Sequence, residues 1–252
     1  MSGPAPSAEK IGYKELRADR ILKTLEQLQA RIASRFPDAG LQRVCGALIE
    51  TARWSIRDAA GLAQPNWLWR IAVGLVILAG VGAQIWAARL LHADAFREDA
   101  ASLVQGLEAA VNLLILFGAS AWFLITLEER MKRRRALDAF YRLRSMAHIV
   151  DMHQLTKDPT IVLQAHQPTA ASPARTMTQF ELTRYLDYCA EMLALIGKLA
   201  ALYAEHTRDG VVIDAVNDIE NLTSNLGRKI WQKITIISAL EDNDRDHNRD
   251  SA

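Results

Sequence analysis

An all-α membrane protein is the fold class this sequence predicts: a two-helix transmembrane hairpin joined to cytoplasmic helical hairpins that pack as a coiled-coil-like bundle. Three observations predict it. Two apolar runs, Ile71 to Ala88 and Ala109 to Leu127, contain no charged residue, and each approaches the roughly 20 residues needed to cross a hydrocarbon core of about 30 Å. Trp67 and Trp69 precede the first run, Trp86 lies near its close, and Trp122 and Phe123 sit late in the second, where interfacial aromatic belts form. Outside these runs, apolar residues recur at alternating steps of three and four, and no long strand-like alternation competes.

Each element follows in order. Residues 1–9, MSGPAPSAE, are small, polar and proline-containing, a composition that predicts disorder. A cytoplasmic helical hairpin is expected over 10–64. Its first stripe is Ala18, Leu22, Leu25, Gln29, Ile32 and Phe36; Pro37, Asp38 and Gly40 break the helix, and Leu41, Val44, Leu48 and Ala52 start the second. Trp54 and Ile56, flanked by Arg53 and Arg57, are expected to rest in the lipid headgroups. The first span covers 66–91, a short external connector 92–106, and the second span 107–127.

No proline interrupts the chain between the second span and Pro159, so this span is expected to continue as one cytoplasmic helix to about residue 156. Phe140, Leu143, Ala147 and Val150 form its apolar face, and the helix would rigidly couple membrane and cytosol. A linker follows over 157–177, carrying Pro159, Pro168 and Pro173. The second cytoplasmic hairpin, 178–240, opens on a capping box of Thr178 and Glu181. Leu182, Leu186, Cys189, Leu193, Ile196, Ala200 and Tyr203 form one stripe, and Val212, Val216, Ile219, Thr223, Leu226 and Ile230 the facing one. Residues 241–252 read as a disordered acidic tail. Its Asp242, Asp244 and Asp246 imitate the start of a calcium loop, but His247 stands where that loop requires glycine.

Charge sets the topology. The formal net charge of +1 conceals a basic cluster after the second span, Arg130, Lys132, Arg133, Arg134 and Arg135, while the connector offers only Arg97. By the positive-inside rule both termini are cytoplasmic. The same five side chains are expected at anionic headgroups, at roughly 1 kcal/mol each. Nucleic acid is not an expected partner, because the cluster abuts the bilayer and no reader motif accompanies it. Met1 to Asn66 lacks the apolar core of a cleavable signal peptide, so the first span is expected to direct insertion, in a bacterial inner membrane.

The chemistry-bearing residues are sparse. At about 100° per residue, Glu108, Asn112, Ala119 and Thr126 fall within about 40° of one direction on the second span, a stripe that could line a pore or pack helix against helix. On the first span Ala72, Ala79, Ala83 and Ala87, with Gly80 at the edge, are the expected packing face. His148, Asp151, His153 and Asp158 lie close in sequence, yet the two histidines diverge by about 140° on one helix and cannot readily share a metal. Asn217, Asn221 and Asn225 recur every four residues opposite the apolar stripe of the last helix; asparagine is a poor helix former there, which makes them a candidate interaction face. Cys45 and Cys189 sit within apolar helical patterns without CxxC spacing and are expected to be buried thiols.

No catalytic motif, metal site or cofactor is expected. The sequence therefore predicts a non-enzymatic, membrane-anchored interaction or scaffold module, with lipid, a second copy of itself or a cytosolic protein as partner. A homo-oligomeric pore gated by the cytoplasmic helices is the alternative. A metal-dependent enzyme at the membrane surface, built on His148, Asp151 and His153, is the third reading.

Overall fold

The structure, a computed structural model, describes residues 16–94, 100–155, 157, 177–205 and 207–250. Those residues contain helices and no strands, in the order α1 (Ala18–Arg35), α2 (Gly40–Ala63), α3 (Trp67–Asp94), α4 (Ala100–Leu155), α5 (Gln179–Ala204) and α6 (Gly210–Asp250). The expectations for residues 1–9, for Asp158 and for most of the 157–177 linker fall outside the described residues. The chain divides into two compact units, a helical body formed by residues up to Ala63 together with those from Ala136 onward, and a hairpin formed by Gln64–Arg135.

In the body, α1 and α2 form an antiparallel pair. Arg53 meets Glu26 at 2.9 Å, and the Cys45 thiol lies 3.9 Å from the Leu25 carbonyl. The buried face of α1 is Ile21, Leu25, Leu28 and Ile32, with Phe36 just beyond. Ala18, Leu22 and Gln29 stand only at its edge, half-buried. The stripe expected from the sequence is thus rotated by about one residue, because Ile21 and Leu28 bury more apolar surface than Ala18 and Gln29 can. On α2, Leu41, Val44, Leu48 and Ala52 are buried as a continuous seam with Cys45, Ile49, Ala59 and Leu62. Trp54 packs against this core with the Arg142 guanidinium 4.4 Å above its ring, so it contributes to the packing of the body.

α5 is the central helix of the body. Every residue of its expected stripe is buried, and it pairs antiparallel with α6, as the Gln179 amide donating to the Ile237 carbonyl at 3.0 Å and the approach of Gly197 to Thr223 both require. A Cβ on Gly197 would stand 3.0 Å from the Thr223 hydroxyl; a bare backbone at this position lets the two helices meet. The capping box is present, with Thr178 Oγ1 accepting from the Glu181 amide and Glu181 accepting from the Thr178 amide. Across α5, Phe36 sets its ring edge-on to Tyr185 and Tyr188, and Arg31 forms an ion pair with Glu191. The lower part of α4 completes the body: Ala136, Ala139, Phe140, Leu143, Ala147 and Val150 are buried, and Phe140 meets Tyr203 edge-on at 5.1 Å.

Helix covers more of the chain than the sequence suggests. α3 reaches Asp94 and α4 begins at Ala100, so most of the expected connector is helical. α6 continues to Asp250 through the acidic segment expected to be disordered. No glycine or proline occurs after Gly227 to stop it, and propagating an existing helix costs far less than nucleating one.

Both cysteines are fully buried and free. Burial pushes the Cys45 thiol up to about 11 and the Cys189 thiol up to about 12. Native protein incubated with iodoacetamide at pH 8 is therefore expected to stay unlabelled at both positions, whereas both label in denaturant; mass spectrometry of the alkylated chain distinguishes the two.

Candidate functional site

Within the hairpin, stretches inside Gly40–Trp86 and Gly106–Leu155 reach mean hydropathies of 1.8 and 2.0, and only 6% and 0% of those stretches is buried. Both helices are long and apolar enough to cross a membrane. Leu68, Leu78, Leu116 and Trp122 are each about two-thirds or more exposed, a large apolar surface that a water-facing protein would cover.

The inward face of α3 is not the expected one. Val73, Ile77, Gly80 and Gln84 are among its buried or half-buried residues, with Trp69 and Gly74, while Ala72, Ala79 and Ala83 are exposed. Close approach occurs at Gly80, where a Cβ would collide with the Phe117 ring. Within the hairpin one glycine opposite one phenylalanine sets the contact, since the bulky ring needs the complete absence of a side chain across from it, and the alanine face is turned away from it.

On α4, Glu108, Asn112 and Ala119 are exposed. Thr126 is half-buried, and its hydroxyl donates to the Trp122 and Phe123 carbonyls of its own preceding turn, each at 3.1 Å. Of the basic cluster, Arg130 lies 5.6 Å from the Phe123 ring centroid, Arg133 is half-buried, and Arg134 and Arg135 are exposed.

Lys132 belongs to a network the sequence reading missed. Just beyond the second apolar run, Glu128 is only 12% exposed and accepts from Arg70 Nε and Lys132 Nζ, both at 3.0 Å, and from the Asn66 amide at 3.2 Å. Lys132 also donates to the Gln64 carbonyl at 3.0 Å, and Asn66 Oδ1 caps α3 by accepting from the Trp69 amide at 3.4 Å. Burial alone would raise the Glu128 pKa, but the three donors outweigh it and hold the carboxyl down to about 2. This carboxylate ties both helix ends together. The spacing Glu128 to Lys132, one helical turn apart at the end of an apolar run, is the signal that could have revealed it.

The histidines separate as their spacing requires. His148 is exposed, whereas His153 Nδ1 lies 3.5 Å from the Tyr185 hydroxyl. Asp151 accepts from the Gln154 amide at 2.6 Å, and Lys233 donates to the Gln154 side chain at 2.7 Å. These residues bind α4 to α5 and α6. Among the described residues no group of three or more His, Cys, Asp or Glu is placed to hold a metal. Asn217, Asn221 and Asn225 are all exposed on α6.

A shallow groove of about 490 Å³ runs between α5 and α6, lined on one wall by Ala190, Ala194, Gly197 and Lys198 and on the other by Glu220, Thr223, Ser224, Gly227, Arg228 and Trp231. Comparison with protein-family models, with curated proteins and with solved structures finds no match for this chain.

Proposed function

We propose that this chain is a non-enzymatic, membrane-anchored helical interaction module, held in a bacterial inner membrane by the α3–α4 hairpin with both termini cytoplasmic. The observation that carries the reading is the contrast between the units: the hairpin exposes nearly all its described apolar side chains, while each helix of the body buries an apolar seam. Lipid is the solvent that such a hairpin fits, and anionic headgroups suit Arg130, Arg134 and Arg135. The body then serves to bind protein, with its helices as the recognition surface.

A pore is the second reading, supported by the exposure of Glu108, Asn112 and Ala119 on one side of α4, where a neighbouring copy could meet them. One experiment separates the two. Full-length protein is expected to stay with membranes through alkaline carbonate extraction and to leave planar bilayers electrically silent at verified loading. Carbonate-soluble protein would overturn the anchor, and a conductance altered by Asn112→Leu would replace it with the pore.

A further inference from the structure

We infer that the α5–α6 groove is a self-association surface, in which two copies of this chain pack α6 against α6 about a two-fold axis at Ser224. This rests on the interaction-module reading and names its partner as a second copy.

The groove is built for a helix and for this helix in particular. Glu220, Ser224 and Arg228 stand one turn apart on its α6 wall, a ridge of the kind that interdigitates when helices cross. A two-fold axis at Ser224 reverses that ridge onto itself. It then sets Glu220 of each copy opposite the partner's Arg228, so two ion pairs form symmetrically, as an isologous interface demands. The same operation brings Trp231 over the partner's Asn217, near Ile213. Trp231 is 56% exposed and Ile213 36% exposed, so both have apolar surface to bury.

The crossing point is made of small residues, Ser224 and Gly227 on α6 with Ala194 and Gly197 on α5. Gly197 is explained within the chain by Thr223. Gly227 is not: a Cβ there would meet nothing within 4 Å, although a glycine inside a helix costs about 1 kcal/mol relative to alanine. The open space over Gly227 is accounted for when a second backbone occupies it. The exposed Asn217 and Asn221 flank the crossing and supply hydrogen-bonding groups to the partner helix.

Full-length protein purified in mild detergent is expected to have a protein mass twice the 28.1 kDa of one chain by light scattering. Glu220→Arg and Arg228→Glu, each placing like charges face to face, are expected to weaken dimerisation about tenfold or more, and the double variant to restore it. Gly227→Leu is expected to abolish the dimer, with an unchanged helical circular dichroism spectrum showing that the chain still folds. A monomeric wild-type protein that resists carbonate extraction would overturn the dimer and leave the anchor standing. A dimer indifferent to both charge reversals, or a double variant that fails to recover, would assign self-association to another surface and overturn the proposal equally.

Discussion

Replacing Tyr203 by alanine is expected to cost the helical body about 3–5 kcal/mol, the range for deleting a large aromatic side chain from a packed core. Tyr203 is among the largest fully buried side chains, at 0% exposed. Its ring lies edge-on to Phe140 of α4 at 5.1 Å and its hydroxyl donates to Asp58 Oδ2 of α2 at 3.3 Å, so one residue of α5 joins three helices. Alanine removes the ring, opens a cavity against Phe140 and takes one donor away from Asp58. Tyr203→Phe separates these effects, since it keeps the packing and is expected to lose only about 1 kcal/mol with the hydrogen bond. Denaturant titrations of both variants, followed by circular dichroism, provide the check. Equal losses would mean that the hydroxyl, and not the ring, carries the contribution.

Glu128→Ala is expected to loosen the hairpin at the end where α3 begins, at a cost of about 2 kcal/mol. Removing one partner of a buried ion pair costs more, but Arg70 is 55% exposed on its side chain and water takes over part of its solvation. Glu128→Gln keeps the shape without the charge and should recover some of the Asn66 contact. The pH dependence has a definite sign. The Glu128 pKa is depressed from 4.5 to about 2, so its contribution is fully present above the ordinary carboxyl value, declines as pH falls below it, and is gone below about pH 2. Thermal unfolding in detergent between pH 3 and 7 should therefore show a slope in the wild type that shrinks in Glu128→Gln. Parallel curves would show that the network contributes nothing to stability.

The helices were legible because their signals are local. Apolar periodicity located the buried seams of α2, α5 and the lower part of α4, and the Thr178–Glu181 pair marked the start of α5. Rotational phase was less legible: on α1 the stripe shifted by about one residue, and on α3 Ala72, Ala79 and Ala83 face away from the hairpin contact, which Gly80 makes. Both outcomes have one cause. Periodicity fixes the spacing of a face but not which of two adjacent faces meets a neighbour, and that depends on the volume of residues such as Phe117, far away in sequence. Glu128 escaped for a related reason, since an acidic residue beside five basic ones reads as part of a solvated run until Arg70 and Asn66 are brought to it. The groove holding Ser224 and Gly227 could not be read from either helix alone, because its walls come from both.

The body is assembled from chain on both sides of the hairpin, and this has a consequence for its biosynthesis. Arg31 and its partner Glu191 are 160 residues apart. At synthesis rates of about 5–20 residues per second, α1 and α2 wait on the order of 10–30 s before α5 exists to cover Ile32 and Phe36. With the hairpin anchored in lipid as proposed, both apolar runs emerge during that interval and require insertion. On that reading the N-terminal helices depend, for their own protection from aggregation, on how quickly the segment that follows them is inserted.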